Sequence, residues 1–361
     1  MNIKRIMLNE LFFFVFLFVY IALVIYNPRF LNSKLVDWNA VSIIASLIIA
    51  NTGIFVSGGT DVLARRIVYR FKDERSLSMA AILLTLLLSM FITNDASLIV
   101  LVPLTLSIGK LSGNNMSKTV ILEAIAANVG STLTPFGNPQ NIIIFKYYRL
   151  SLVEFLKAST LVFLLMLFTL IFLSYFLLKR KAVKPRAIKV TYKPTLFMLS
   201  FALFIVDIVG FFLGLNYKFF VATSLVGIIF LLMFRPSSYT KRDALLRIDF
   251  FLILTFIMIF LVVNSLKSLI LFSISGTLLG LISAALLSQL ISNVPVTVLL
   301  AGKVSFLPLL WGVNIGGNGT IIASLANLIA YRKLNGSLLE FLKISSFFLA
   351  ITLLLGILVL L

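Results

Sequence analysis

The sequence predicts an all-α polytopic membrane protein, and three observations carry that prediction. Of the 361 residues, 61% are hydrophobic, with a mean hydropathy of +1.13. Apolar runs follow one another along the chain, near or above the roughly 18 residues that suggest a spanning helix. The runs are continuous rather than alternating, which excludes a membrane β-barrel. The formal charge of +19 would point to nucleic acid in a soluble protein. Here the basic residues gather between apolar runs and read as topology signals, so the expected surroundings are a lipid bilayer and no nucleic acid.

The elements follow in order. A helix over 10–26 comes after Lys4 and Arg5. It has the look of a signal peptide, but Tyr26-Asn27-Pro28-Arg29 follows instead of a small-residue cleavage site, so it reads as a retained first helix. Apolar runs predict helices over 39–57, 76–92 and 96–109, the last two parted by the polar tip Thr93-Asn94-Asp95. The stretch from Asp61 to Arg75 carries Arg65, Arg66, Arg70, Lys72 and Arg75 among apolar residues and reads as interfacial. Segment 118–145 is interrupted by TLTPFGNPQN. Helices are then expected over 151–178, 195–213, 217–234, 248–264 and 269–291. Ser292-Asn293-Val294 makes a second polar break, 304–331 contains GGNGT, and 341–361 closes the chain.

Basic residues cluster at Lys4 and Arg5, at 61–75, at Lys179 to Lys193 (with Lys184, Arg186 and Lys189), at Arg235 to Arg247, and at Arg332, Lys333 and Lys343. Placing all of these in the cytoplasm puts the N-terminus inside and the C-terminus outside a plasma or inner membrane. Lys146 and Arg149 then fall on the outer side, against the rule. Residues 1–178 form one half, 179–216 a basic loop and linking helix, and 217–361 a second half.

The halves share a pattern. ANVGSTLTPFGNPQNII (127–143) aligns without a gap on VNIGGNGTIIASLANLI (313–329), pairing Asn128 with Asn314, Gly130 with Gly316, Thr134 with Thr320 and Asn141 with Asn327. The charge-derived orientation runs the copies in opposite directions, an inverted repeat. Pro135, Gly137 and Pro139 prevent a continuous helical ladder. In a bilayer such a break is tolerated only where it lines a cavity or is buried in protein. It leaves helix ends, carbonyls and carboxamides that can hold an ion. A Pro-Gly kink, or small-residue packing at GGNGT, is the simpler alternative.

Ionisable groups are few. Asp95, at the bend between two apolar arms, either carries a proton or contacts solute, or caps the second arm. Glu123, five residues before Asn128, reads as an interfacial residue. Asp207 has no partner in the repeat and reads as structural or lipid-edge. Lys303 reads as an outer interfacial lysine. Histidine and cysteine are absent, which removes a Ser-His dyad, a thiolate nucleophile and the usual zinc ligands. Asp95 and Asp207 share no Gly-x-Gly-Asp context. No enzyme, metal centre or cofactor is expected, beyond a coupling Na⁺ or H⁺.

TNDASLIVLVP, EAIAANVGSTLTPFGNPQN, SNVP and GNGTIIASLANLIA together resemble the ion transporter superfamily, over nearly the whole chain. The nearest branch is the arsenite permease and sodium/proton antiporter-like group, including citrate-transporter-like, SLC13-type permeases. The resemblance implies an elevator-type fold with two re-entrant hairpins (76–109 and 269–301) and two unwound helices (118–145 and 304–331), commonly in a homodimer. It implies a secondary active transporter that moves a small anion or oxyacid with H⁺ or Na⁺, the alternative being Na⁺/H⁺ antiport on Asp95. The implied substrate and ion site comprises Thr93, Asn94, Asp95, Asn128, Thr134, Gly137, Asn138 and Asn141. Its second half comprises Ser292, Asn293, Asn314, Asn318, Thr320 and Asn327. The tips Thr-Asn-Asp and Ser-Asn-Val depart from the Ser-Asn-Thr of sodium-coupled dicarboxylate carriers. The absence of cysteine removes a thiolate site for arsenite. The short spacing from Asn293 to Asn314 implies a clipped return arm in the second hairpin.

Overall fold

Away from water only intrahelical hydrogen bonds satisfy the backbone of an apolar run, and the polar residues between runs supply caps. The computed structural model describes residues 11–59, 62, 73–91, 93–112, 115–181, 191–269, 274–334 and 337–361. Among these the regular elements are helices, and Ala301 and Val304 form an isolated bridge. Lys4, Arg5, Arg65, Arg66, Arg70, Lys72, Lys184, Arg186 and Lys189 lie outside the described residues.

The first half comprises α1 (Leu11–Tyr26), α2 (Trp38–Val56), α3 (Glu74–Phe91), α4 (Asn94–Ser112), α5 (Ser117–Thr132), α6 (Pro139–Tyr147) and α7 (Leu152–Leu177). The linking helix is α8 (Pro194–Phe212). The second half comprises α9 (Tyr217–Phe234), α10 (Lys241–Leu245), α11 (Phe250–Leu269), α12 (Thr277–Ile291), α13 (Asn293–Leu300), α14 (Phe306–Gly316), α15 (Leu325–Lys333) and α16 (Leu338–Leu360). Among the described residues seven helical stretches are long and apolar enough to cross a membrane. The chain is a multi-pass membrane protein.

Segment 118–145 is two helices, α5 and α6, and segment 304–331 is α14 and α15. Both breaks are where Pro, Gly and Asn place them. The expected helix 269–291 begins instead at Thr277, because Leu269 still closes α11. The return arm α13 is short, 8 residues, as the clipped spacing implies.

The halves are built alike. Helix α3 packs on α4 and α5, and α12 packs on α13 and α14. Helices α7 and α16 flank the broken pairs and touch each other. Ser151 caps α7 in a capping box with Glu154, and Ser337 and Glu340 occupy the corresponding positions of α16. A separate group, α2, α8 and α9, packs together. Phe168, Phe172, Met198, Leu225, Ile229 and Leu354 project outward, as side chains do when lipid replaces water.

Residues at the edges are satisfied locally. Ser76, through its N–H and then its hydroxyl, holds the Asp73 carboxyl below its ordinary range at the start of α3. Arg75 donates to Leu178 O (3.0 and 2.9 Å) and lies over the Tyr175 ring. Lys146, against the charge rule in the sequence, donates to Phe211 O (3.3 Å) and sits over the Phe211 ring. Packing, rather than topology, accounts for that lysine. Asp207 is buried, not at the lipid edge: it lies near Thr223 and Ser46, whose hydroxyls donate to Phe220 O and Ile43 O.

Small residues let the pairs close. A Cβ at Gly130 would lie 2.1 Å from Leu86 O, and one at Gly316 would lie 2.7 Å from Ala285 Cα. These matched positions set the α3–α5 and α12–α14 spacings. Gly130→Ala and Gly316→Ala should each destabilise the fold by about 1–3 kcal/mol, the usual cost of overpacking. Thermal unfolding of the purified variants in detergent checks this; an unchanged Tm for both would contradict it.

Candidate functional site

The breaks come together. Asn128 of α5 donates through Nδ2 to Asn327 Oδ1 of α15 at 3.0 Å, and Asn314 of α14 donates through Nδ2 to Asn141 Oδ1 of α6 at 2.8 Å. Each asparagine of one broken segment therefore holds the non-equivalent asparagine of the other. All four are buried, with Asn141 and Asn327 at 0% exposure.

One constant shift in residue number relates the bonds around each break. Asn141 Nδ2 donates to Ser131 O (3.0 Å) and Thr134 O (3.0 Å), and Asn327 Nδ2 donates to Gly317 O (3.0 Å) and Thr320 O (2.8 Å). Asn138 caps α6 by accepting from Asn141 N, and Ser324 caps α15 by accepting from Asn327 N. These amides satisfy the carbonyls that unwinding frees, which would otherwise cost about 1–3 kcal/mol each.

A second constant shift relates the tips. Asn94 N donates to Gly137 O (3.1 Å), and Asn293 N donates to Ala323 O (3.0 Å). Thr134 Oγ1 donates to Met90 O (2.7 Å), and Thr320 Oγ1 donates to Gln289 O (3.0 Å). Both threonines therefore brace a hairpin against its unwound loop. Gly137 is required by close approach, since a Cβ there would meet Ser131 O at 2.6 Å. Ser292 makes the second tip at φ 74°, and its hydroxyl reaches Ala323 O at 3.5 Å. Thr93 is half-buried, and its carbonyl accepts from Ser97 N. The starts of α4, α6, α13 and α15 are thus gathered at the two loops, a concentration of helix N-termini that favours negative charge.

The cluster is not fully symmetric. Asn314 Oδ1 accepts from Asn138 Nδ2 (3.1 Å) and Thr132 Oγ1 (3.3 Å). Around Asn128 Nδ2, by contrast, four oxygens lie within reach: Asn327 Oδ1, Gly317 O (3.1 Å), Ser324 Oγ (3.2 Å) and Asn318 Oδ1 (3.4 Å). An amide nitrogen carries two hydrogens, so acceptors exceed donors there. Asn94 Nδ2 completes the spot by donating to Asn128 Oδ1 (3.2 Å).

Asp95 stands in the first turn of α4, buried, with Oδ1 accepting no hydrogen bond. The turn is capped by others: Asn94 Oδ1 accepts from Asp95 N, and Thr93 O from Ser97 N. Asp249 caps α11 by accepting from Leu252 N, and its charge bears on Asp95. Glu123 is not at the protein surface. It is fully buried in α5 and accepts from Thr105 Oγ1 at 2.6 Å. Distance along the helix suggested an exposed residue, but α5 is enclosed on every side. Ser131, Thr132, Ser324 and Gln289 also belong to the network. Ser324 was legible as the partner of Asn138 in the repeat; Gln289 had no sequence signal.

An all-helical membrane protein whose interrupted helices meet through buried amides has the architecture of a membrane transporter. The chain belongs to the CitMHS family of citrate transporters, whose model matches residues 12–311. It is 36% identical over 310 residues to the inner membrane protein YbiR of Escherichia coli (83% of this chain and 81% of that protein). It is 38% identical over 276 residues to an uncharacterized transporter of Methanocaldococcus jannaschii (74% and 73%). A shorter match, 32% over 94 residues (26% of this chain and 19% of the relative), is to the silicon efflux transporter LSI3 of Oryza sativa.

The reciprocal bonds predict reciprocal energetics. Double-mutant cycles of Asn128→Ala with Asn327→Ala, and of Asn314→Ala with Asn141→Ala, should each give a coupling of about 0.5–3 kcal/mol in unfolding. Asn128→Ala with Asn141→Ala should be closer to additive. Additivity in both of the first cycles would contradict the bonded pairs.

Proposed function

We propose that the protein is a secondary active transporter that moves a small anion or oxyacid across the plasma or inner membrane, coupled to H⁺ or Na⁺. The reciprocal asparagine pairing of two buried helix breaks carries this reading. It supports an inverted repeat, the arrangement that secondary transporters place around a central site. Helix N-termini would face the negative charge of the solute. The surplus oxygens at Asn128 would accept from its hydroxyls or hold a small cation. Family membership supports transport as the class of activity.

In this proposal the pairs α3–α4 and α12–α13 are re-entrant hairpins. Together with α5–α6 and α14–α15 they form a mobile unit that shifts as an elevator against a scaffold containing α2, α8 and α9. The N-terminus lies in the cytoplasm, the C-terminus outside, and two copies assemble through the scaffold. A second reading, Na⁺/H⁺ antiport, is favoured by the unpartnered oxygen of buried Asp95.

A thermal-shift screen of purified protein against citrate, phosphate, silicate, Na⁺ and Li⁺ tests the proposal. A ligand that binds only the folded state should stabilise it by about 2.7 kcal/mol at one hundred times its Kd. Asn141→Ala and Asn327→Ala should abolish that shift. Proteoliposomes separate the two readings: a sodium gradient that moves pH with no anion present, and fails to do so in Asp95→Asn, would replace the anion reading.

A further inference from the structure

The repeat supplies an internal control for every residue in it, and at Glu123 that control is informative. The shift that carries Asn128 onto Asn314 carries Glu123 onto Leu309. Both side chains are fully buried, at 0% exposure, and both stand at the same place in the broken helix. The fold therefore builds this position with a plain aliphatic in one half. Packing does not require a carboxyl in the other.

Nor is the carboxyl needed as a staple between helices. One turn nearer the start of α5, Thr119 and Ser78 of α3 share a buried hydrogen bond at 2.7 Å. A neutral hydroxyl pair thus joins α5 to a hairpin arm without an ionisable group. At Glu123 the Thr105 hydroxyl of α4 reaches Oε1 at 2.6 Å, while Oε2 is buried and accepts nothing. An ionised carboxylate so placed is costly unless paired.

The charges on the surrounding helices do not supply a pair. Helix α3 carries Glu74 and Arg75, the latter committed to Leu178 O, α4 carries Asp95 and Lys110 (whose side chain is outside the described residues), α5 itself carries Lys118 in its first turn, and α7 carries Glu154 and Lys157. Helix α14 carries none, α15 carries Arg332 and Lys333, and α16 carries Glu340 and Lys343. The charge of Arg332 bears on Asp249. Glu123 is acted on by its burial and by the Thr105 hydroxyl.

We propose that Glu123, closed by Thr105, is a proton-binding site separate from the amide cluster. The occupant is a proton rather than a metal ion: two side-chain oxygens cannot replace the hydration of Na⁺, and no cluster of three acidic, His or Cys residues occurs among the described residues. Thr119 and Ser78 lead from the start of α5 toward it. Because Thr105 belongs to the hairpin and Glu123 to the broken helix, the proton sits on the seam between the two elements that meet at Asn94 and Asn128. Resting on the transport reading, its role there is to supply the coupling ion.

Infrared titration of the ligand-free protein in nanodiscs tests the site without any substrate. Wild type should show a protonated-carboxyl band that disappears as pH rises. The wild-type-minus-Glu123→Gln difference spectrum should isolate the Glu123 component from those of buried Asp95 and Asp207, and Glu123→Asp should restore it, shifted. Glu123→Leu, copying the other half, should fold with a Tm no lower than wild type, which separates a proton role from a structural one. A difference spectrum with no titrating carboxyl component, or a Glu123→Leu variant that melts well below wild type, overturns the proposal. Citrate uptake into proteoliposomes under a pH gradient then reads coupling. If Glu123→Gln keeps the gradient response of the wild type, the coupling role is refuted. If wild type carries no citrate, that counts against the transport reading for citrate, and the infrared result decides the proton site alone.

Discussion

The constraint on which the rest depends is the cost of an open backbone away from water. Unwinding two helices inside an apolar body frees a set of carbonyls and N–H groups, each of which must find a partner. The protein meets this with side-chain amides. Asn141 and Asn327 each reach back over the break they follow and hold its carbonyls. Their own oxygens are then held from across the repeat by Asn314 and Asn128. The two breaks thus stabilise each other, and neither half has its full set of partners alone. A buried polar network of this kind is cohesive when complete and destabilising when one member is missing.

That dependence was partly legible in the sequence. Pro135, Gly137 and Pro139 make a break unavoidable, and the ungapped match of Asn128, Gly130, Thr134 and Asn141 to Asn314, Gly316, Thr320 and Asn327 marks its counterpart. The crossed pairing was not legible. A linear alignment matches equivalent residues, whereas facing copies bring non-equivalent ones into contact. Thr134 and Thr320 were matched as site residues, and the packing adds what an alignment does not show: their hydroxyls donate to Met90 O and Gln289 O.

Other misreadings share one cause: the enclosure of a helix is a property of its neighbours. Glu123 lies near the start of α5, where an interfacial position was reasonable. Only the packing of α3, α4, α7, α14, α15 and α16 around α5 makes it interior. Asp207 was read as structural or lipid-edge because it lacks a repeat partner; α2 and α9 cover it, which removes the lipid-edge alternative. The boundary at Thr277 was missed because hydropathy stays high from α11 into α12, and an apolar run does not reveal where one helix stops.

The departures from the repeat follow a pattern of their own. The tip shift places Asp95 against Val294, and the shift of the broken segments places Glu123 against Leu309. These two buried carboxyls lie in the first half, and the second half has aliphatic residues in both places. The amides, by contrast, are shared by the two halves. A symmetric amide cradle is suited to holding a solute in the same way from either side, because both halves offer it equivalent groups. A proton site works differently: it must respond to which side is open, and a group duplicated in both halves would respond equally to each. In the proposed transport cycle, keeping these two carboxyls in one half would leave the neutral cradle symmetric while proton binding takes a direction. On that proposal the one fold would supply both the equivalence that binding needs and the asymmetry that coupling needs.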